Sequence, residues 1–117
     1  MILIGKALEK AVEETMSPKP EVDEISVDVH VPFEVTVPKH GYSVISAFER
    51  LDMKEKYAAM ITGRSSHMQN GVTMPGGFVD PSFSGDFKLE FFNHSGKDFV
   101  IEDYEAGGRL TFFEVKQ

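Results

Sequence analysis

The chain has 117 residues, 41% of them hydrophobic and 26% charged, enough to bury a core, and no run nears the ~18 consecutive apolar residues of a membrane span. A formal net charge of −7, from 19 Asp plus Glu against 12 Lys plus Arg, argues against a surface built to grip a nucleic-acid backbone. The absence of cysteine excludes a disulfide framework, a thiol nucleophile and a Cys-based zinc site. One small polyanion remains a candidate ligand, held by a nest of N–H donors, a few focused Arg or Lys, or a divalent cation.

The length suits one domain spanning 1–117. The opening MILIGKALEKAVEE carries acidic residues and lacks a long apolar core followed by a small-residue cleavage site, so the expected location is cytoplasmic, away from membranes. Within residues 4–16, Ile4, Leu8, Ala11 and Val12 share one helical face and Pro18 ends the pattern, which predicts one N-terminal helix. The period then changes to two. In ISVDVHV, Ile25, Val27, Val29 and Val31 alternate with Ser26, Asp28 and His30, and FEVTV continues the pattern after Pro32. Strands are also predicted at 42–48, 56–63, 77–80, 86–93, 99–103 and 109–115, each short, apolar-rich and bounded by Gly, Pro, Asn or Asp. Many short strands at such spacing predict a mainly β barrel or sandwich.

Between two of these strands lies GRSSHMQNG, residues 63–71, which reads as a single helical turn with a Ser at its N-cap and Gly71 just past its end. Such a turn either links strands or binds an anion through its first N–H groups, with Arg64, Ser65 and Ser66 beside them. Asp80 precedes Pro81, where it either starts a turn or presents a carboxylate to a ligand. In DFKLEFFN, Glu90 shares a face with Lys88 and Phe92, opposite Phe87, Leu89 and Phe91. A carboxylate on so apolar a strand is expected to be partly buried, as a general acid/base requires, or else paired with a cation on an exposed face.

GRSSHMQNG, GFVDPSFSG and KLEFFN, in that order, resemble the dCTP deaminase and dUTPase superfamily, whose members carry GRSSxxRxG, G(F/W)IDPxFxG and TLEFxN. The opening MILIGKALEKAVEE, the strand ISVDVHV and the closing EAGGRLTFFEV are similar to further family segments, so the resemblance covers nearly the whole chain. It implies a distorted dUTPase-like β-barrel of the β-clip type, with one N-terminal helix and a short helical turn. It also implies a homotrimer with shared active sites, acting on a deoxypyrimidine nucleoside triphosphate with Mg2+ bound through the phosphates.

Residue by residue, the resemblance puts Arg64 and Ser66 on phosphate, Ser65 on the reacting water or base, and Asp80 near the sugar and the catalytic water. Phe83 matches the aromatic that packs on deoxyribose, and Glu90 matches the proton-shuttling glutamate of the deaminase branch. Gly77 closes the hairpin that builds the pyrimidine pocket, here shorter than usual. Gln69 stands where the family carries an arginine, and Arg109, in the place of a family glutamine, is a second candidate phosphate ligand. No zinc is implied, since none of His30, His40, His67 or His94 begins the HxE motif of zinc deaminases. Relatives continue into a tail that closes over the triphosphate, so the expectation is a site without that lid. The implied activity is dCTP deamination to dUTP and ammonia. The alternatives are hydrolysis of dUTP to dUMP and pyrophosphate, and a nucleotide-binding trimer without catalysis.

Overall fold

A computed structural model describes residues 1–116. Helix α1 (Gly5–Thr15) buries Leu8, Ala11, Val12 and Thr15. Ile4, expected on that face, is the N-cap residue in extended conformation and remains exposed. None of the helices among the described residues is long and apolar enough to cross a membrane.

The strands are β1 (Met16–Ser17), β2 (Val27–His30), β3 (Val35–Val37), β4 (Tyr42–Asp52), β5 (Tyr57–Thr62), β6 (Val72–Thr73), β7 (Gly77–Val79), β8 (Ser84–Asn93), β9 (Phe99–Ile101) and β10 (Ala106–Glu114). The turn α2 (Ser65–Met68) lies between β5 and β6. One sheet has the order β1-β4-β8-β6, a second β2-β10-β5-β7, and β3 pairs with β9. Every pairing is antiparallel. The alternation sorts the side chains as read from the sequence. Val27, Val29 and Val31 are buried, as are Phe87, Leu89 and Phe91 on β8 and Leu110 and Phe112 on β10. Full burial of a side chain of this size contributes about 1.5–3 kcal/mol. Ile25, expected with the valines, is exposed ahead of β2. The two-residue strands β1 and β6 are too short to show a period and escaped the sequence reading.

Two irregularities shape the molecule. The β2–β10 register shifts between Ala106 and Gly108. At Gly107 a Cβ would stand 3.0 Å from Leu89 Cδ1, 3.1 Å from Phe91 Cζ and 3.2 Å from Val31 Cγ1, so the glycine lets β10 pass close to β8 across the core. The β4–β8 register shifts between Ser46 and Arg50, and within that irregular stretch Glu49 is buried while Phe48 is exposed.

Candidate functional site

The β2–β10–β5 ladder assembles the polar cleft. Arg109 pairs with Asp28 on one side and with Thr62 on the other, and the chain leaves β5 at Thr62 directly into Gly63 and Arg64. Segments distant in sequence thus deliver Asp23, Asp28, Arg64, Ser65, Ser66 and Arg109 to one cleft of about 260 Å³. Ser65 and Ser66 are exposed at the start of α2, and among the described residues neither hydroxyl has a hydrogen-bond partner. The N-cap is Arg64 rather than a serine: its backbone is extended, and its side chain does not cap the turn. Gly71 ends the turn as expected, with φ +82° and its N–H donating to the Met68 carbonyl at 3.0 Å.

Arg64 is held from behind. Its Nη1 donates to the Ala106 carbonyl at 3.1 Å and to Glu105 Oε2 at 3.3 Å. The same Glu105 oxygen lies 2.7 Å from Nε2 of His67, which is buried edge-on against Phe91 and Phe99. Glu105 Oε1 accepts the Glu102 N–H at 3.0 Å. Burial pushes the Glu105 carboxyl up, but the His67 hydrogen bond, the Glu102 amide and the nearby charges of His67 and Arg64 outweigh it and hold the group below its ordinary value. His67 and Glu105 were missed in the sequence reading. His67 stands inside the GRSSHMQNG motif, but a polar turn gives no reason to expect a buried histidine, and Glu105 meets it from the segment just before β10, 38 positions along the chain.

Arg109 donates from Nη2 to Ser26 Oγ at 2.7 Å, and its Nε lies 3.9 Å from Asp28 Oδ1. The cleft therefore presents two guanidinium groups and two hydroxyls beside two carboxylates, a set suited to a polyanion carrying its own cation. Mg2+ is commonly held by one or two carboxylates plus substrate phosphates, and Asp23 and Asp28 fit that part. Among the described residues no group of three His, Asp or Glu side chains could hold a metal by itself.

The remaining candidate residues stand elsewhere. Gln69 is exposed at the end of α2, and Gly77 pairs with Ile61 on β5, just short of the Arg64 turn. Asp80 lies beyond the other end of the β5–β7 ladder, on the order of 15–20 Å from Arg64 at ~3.4 Å per strand residue. It is exposed, and its carbonyl accepts the Phe83 N–H at 3.0 Å, the turn expected of Asp-Pro. Phe83 is half-buried against the core. Glu90 occupies the expected face of β8 with Lys88 and Phe92, opposite Val44, but that face is exposed, so the expected partial burial of Glu90 does not occur within one chain. One chain thus gathers Arg64, Ser65, Ser66 and Arg109 but leaves Asp80 and Glu90 on separate surfaces.

Comparison with known proteins accounts for this arrangement of strands. The dUTPase family model matches residues 15–117. The deoxyuridine 5'-triphosphate nucleotidohydrolase of Saccharomyces cerevisiae is 26% identical over 107 residues, covering 91% of this chain and 73% of that protein. The dCTP deaminase of Pyrococcus abyssi is 26% identical over 90 residues, covering 77% of this chain but only 58% of that protein. Among solved structures, the EIAV dUTPase superposes with a TM-score of 0.72 at 17% identity, covering 84% of this chain and 87% of that one. A phage phi11 dUTPase from S. aureus, described as coordinating a structural Mg(II) ion, superposes with a TM-score of 0.72 at 14% identity, covering 84% of each chain. A family match over most of the sequence, on a barrel of the same form, shows that this chain belongs to the dUTPase family of hydrolytic enzymes.

Proposed function

We propose that the chain hydrolyses a deoxypyrimidine nucleoside triphosphate, and that its reaction is deamination of dCTP. The observation that carries the triphosphate is the cleft in which Arg64, Ser65, Ser66 and Arg109 converge. Arg64 enters it already fixed by Glu105 and Ala106, so little side-chain freedom is lost when an anion binds. Mg2+ on the phosphates would offset their charge, with Asp23 and Asp28 as its protein ligands.

The exposed face of β4 and β8 supports completion of the site by a second copy of the chain. The outer face of β4 and β8 exposes Tyr42, Val44 and Phe92, the two rings stacked 5.6 Å apart, and Glu90 lies between them and Lys88. An apolar face of this kind marks an interaction surface. Covered by neighbouring copies in a homotrimer, it would give Glu90 the desolvated setting that a proton-transferring carboxylate needs. In that site Glu90 takes a proton from water as the water oxygen attacks C4 of cytosine and passes it to the departing amino group, while the second water proton ends on N3, so that ammonia leaves and the carbonyl of uracil remains. Ser65 orients the water, Phe83 offers its uncovered ring surface to the sugar, and Gly77 and Gln69 border the base. Glu90 on β8 favours deamination. The second reading, dUTP hydrolysis to dUMP and pyrophosphate with Asp80 positioning the water, is favoured by the likeness to the yeast enzyme.

Incubating the chain with each deoxynucleoside triphosphate and Mg2+, with ammonia and pyrophosphate read in parallel, separates the two. Ammonia from dCTP, lost in Glu90→Gln, is expected. Pyrophosphate from dUTP without ammonia replaces the first reading by the second. Thermal stabilisation by a deoxynucleotide with neither product would make the protein a binding module.

A further inference from the structure

A second cavity, of about 350 Å³, is built around a buried carboxylate that the reaction above does not use. Glu49, 2% exposed, is buried in the irregular stretch of β4. Its Oε1 accepts the His30 N–H at 2.8 Å, and its Oε2 lies 2.5 Å from His30 Nδ1. With Nδ1 turned to the carboxylate, the imidazole is held in one orientation and Nε2 is the ring nitrogen left to meet a ligand. Nε2 has no partner among the described residues, and the half-buried His30 lines the cavity.

The walls are aromatic rings and prolines. Phe48 and Tyr104 meet edge to face with centroids 5.2 Å apart, and both rings are exposed. Pro18 and Pro20 form a further wall. Tyr104 has φ +58°, a left-handed backbone uncommon for a non-glycine residue, so its ring is held beside Phe48 at some conformational cost. Lys19 at the rim is engaged by Glu9 at 2.8 Å. A fixed ring nitrogen beside two exposed rings and two prolines, in a volume of about 350 Å³ at the low end of the ~300–1,000 Å³ range of small-molecule sites, suits a small flat ligand.

We propose that this cavity binds a flat nitrogen heteroaromatic ring through a hydrogen bond to His30 Nε2 and stacking on Tyr104, without any contribution from phosphate. The site is separate from the Arg64 cleft and does not rest on the proposed reaction.

The probes are free uracil and cytosine, titrated into the full chain while the His30 side-chain and Tyr104 resonances are followed by NMR. Saturable shifts at both residues are expected, unchanged in Arg64→Ala and weakened about tenfold or more in Tyr104→Gly, which removes the ring while suiting the left-handed backbone. Dihydrouracil, which keeps the N–H groups but puckers the ring, should bind more weakly than uracil. The proposal is overturned by the absence of saturable shifts at His30, by loss of binding in Arg64→Ala, by full binding in Tyr104→Gly, or by equal binding of dihydrouracil. A failed substrate panel with base binding retained would sink the proposed reaction and leave this site standing.

Discussion

Glu105 reaches Arg64 and His67 with one oxygen: Oε2 lies 3.3 Å from Arg64 Nη1 and 2.7 Å from His67 Nε2. The candidate phosphate ligand is thereby tied to a histidine packed among Phe91 and Phe99, and the position of a surface arginine is set from within the core.

Glu105→Gln should loosen Arg64 and leave the buried His67 without its charged partner. We expect a loss of about 1–3 kcal/mol in stability, read by denaturant titration, together with weaker binding of pyrophosphate by calorimetry. Glu102→Gln, whose side chain is exposed and whose backbone N–H still reaches Glu105, should change neither.

Acid should act through the same group. The Glu105 carboxyl is held below its ordinary value near 4.5, so it binds a proton less readily in the folded than in the unfolded chain. Its contribution is therefore complete above that ordinary value and is lost as pH falls through the depressed one. Melting temperatures measured between neutral pH and pH 3 should fall less steeply in Glu105→Gln than in the parent. Parallel curves would remove this carboxylate as the cause.

Gly107→Ala should be costly although it adds one methyl group. The new Cβ would press on Leu89, Phe91 and Val31 together at 3.0–3.2 Å, and overpacking of this kind costs roughly 1–3 kcal/mol. Gly77→Ala, where no atom lies within 4 Å of the added carbon, is the control and should melt close to the parent.

Val44→Asp places a charge opposite Glu90 on the exposed face of β4 and β8. If copies of the chain associate through this face, light scattering should show a smaller species, while circular dichroism shows an unchanged fold. An unaltered mass would move the interface elsewhere.

The strand pattern was legible because period-two alternation follows from the pleat. Lys88, Glu90 and Phe92 fall on one side and Phe87, Leu89 and Phe91 on the other whatever the sheet packs against. Which side is covered does not follow from the alternation. The partial burial expected of Glu90 came from the apolar character of its neighbours, yet in the single chain no element covers that side. Glu49 went unremarked for a related reason: a register shift, invisible in composition, accompanies its burial.

Local chemistry along the chain was thus sufficient for α1, for the longer strands, for Gly71 ending the turn, and for the ordered motifs that mark the family. Each depends on residues within a few positions of one another. The β2–β10–β5 register brings Arg109 beside Asp28 and the Arg64 turn, and Glu105, next to β10, lies under Arg64. Those relationships join residues some 40 or more positions apart, and hydrogen bonding between strands, which acts across space and not along the chain, sets them.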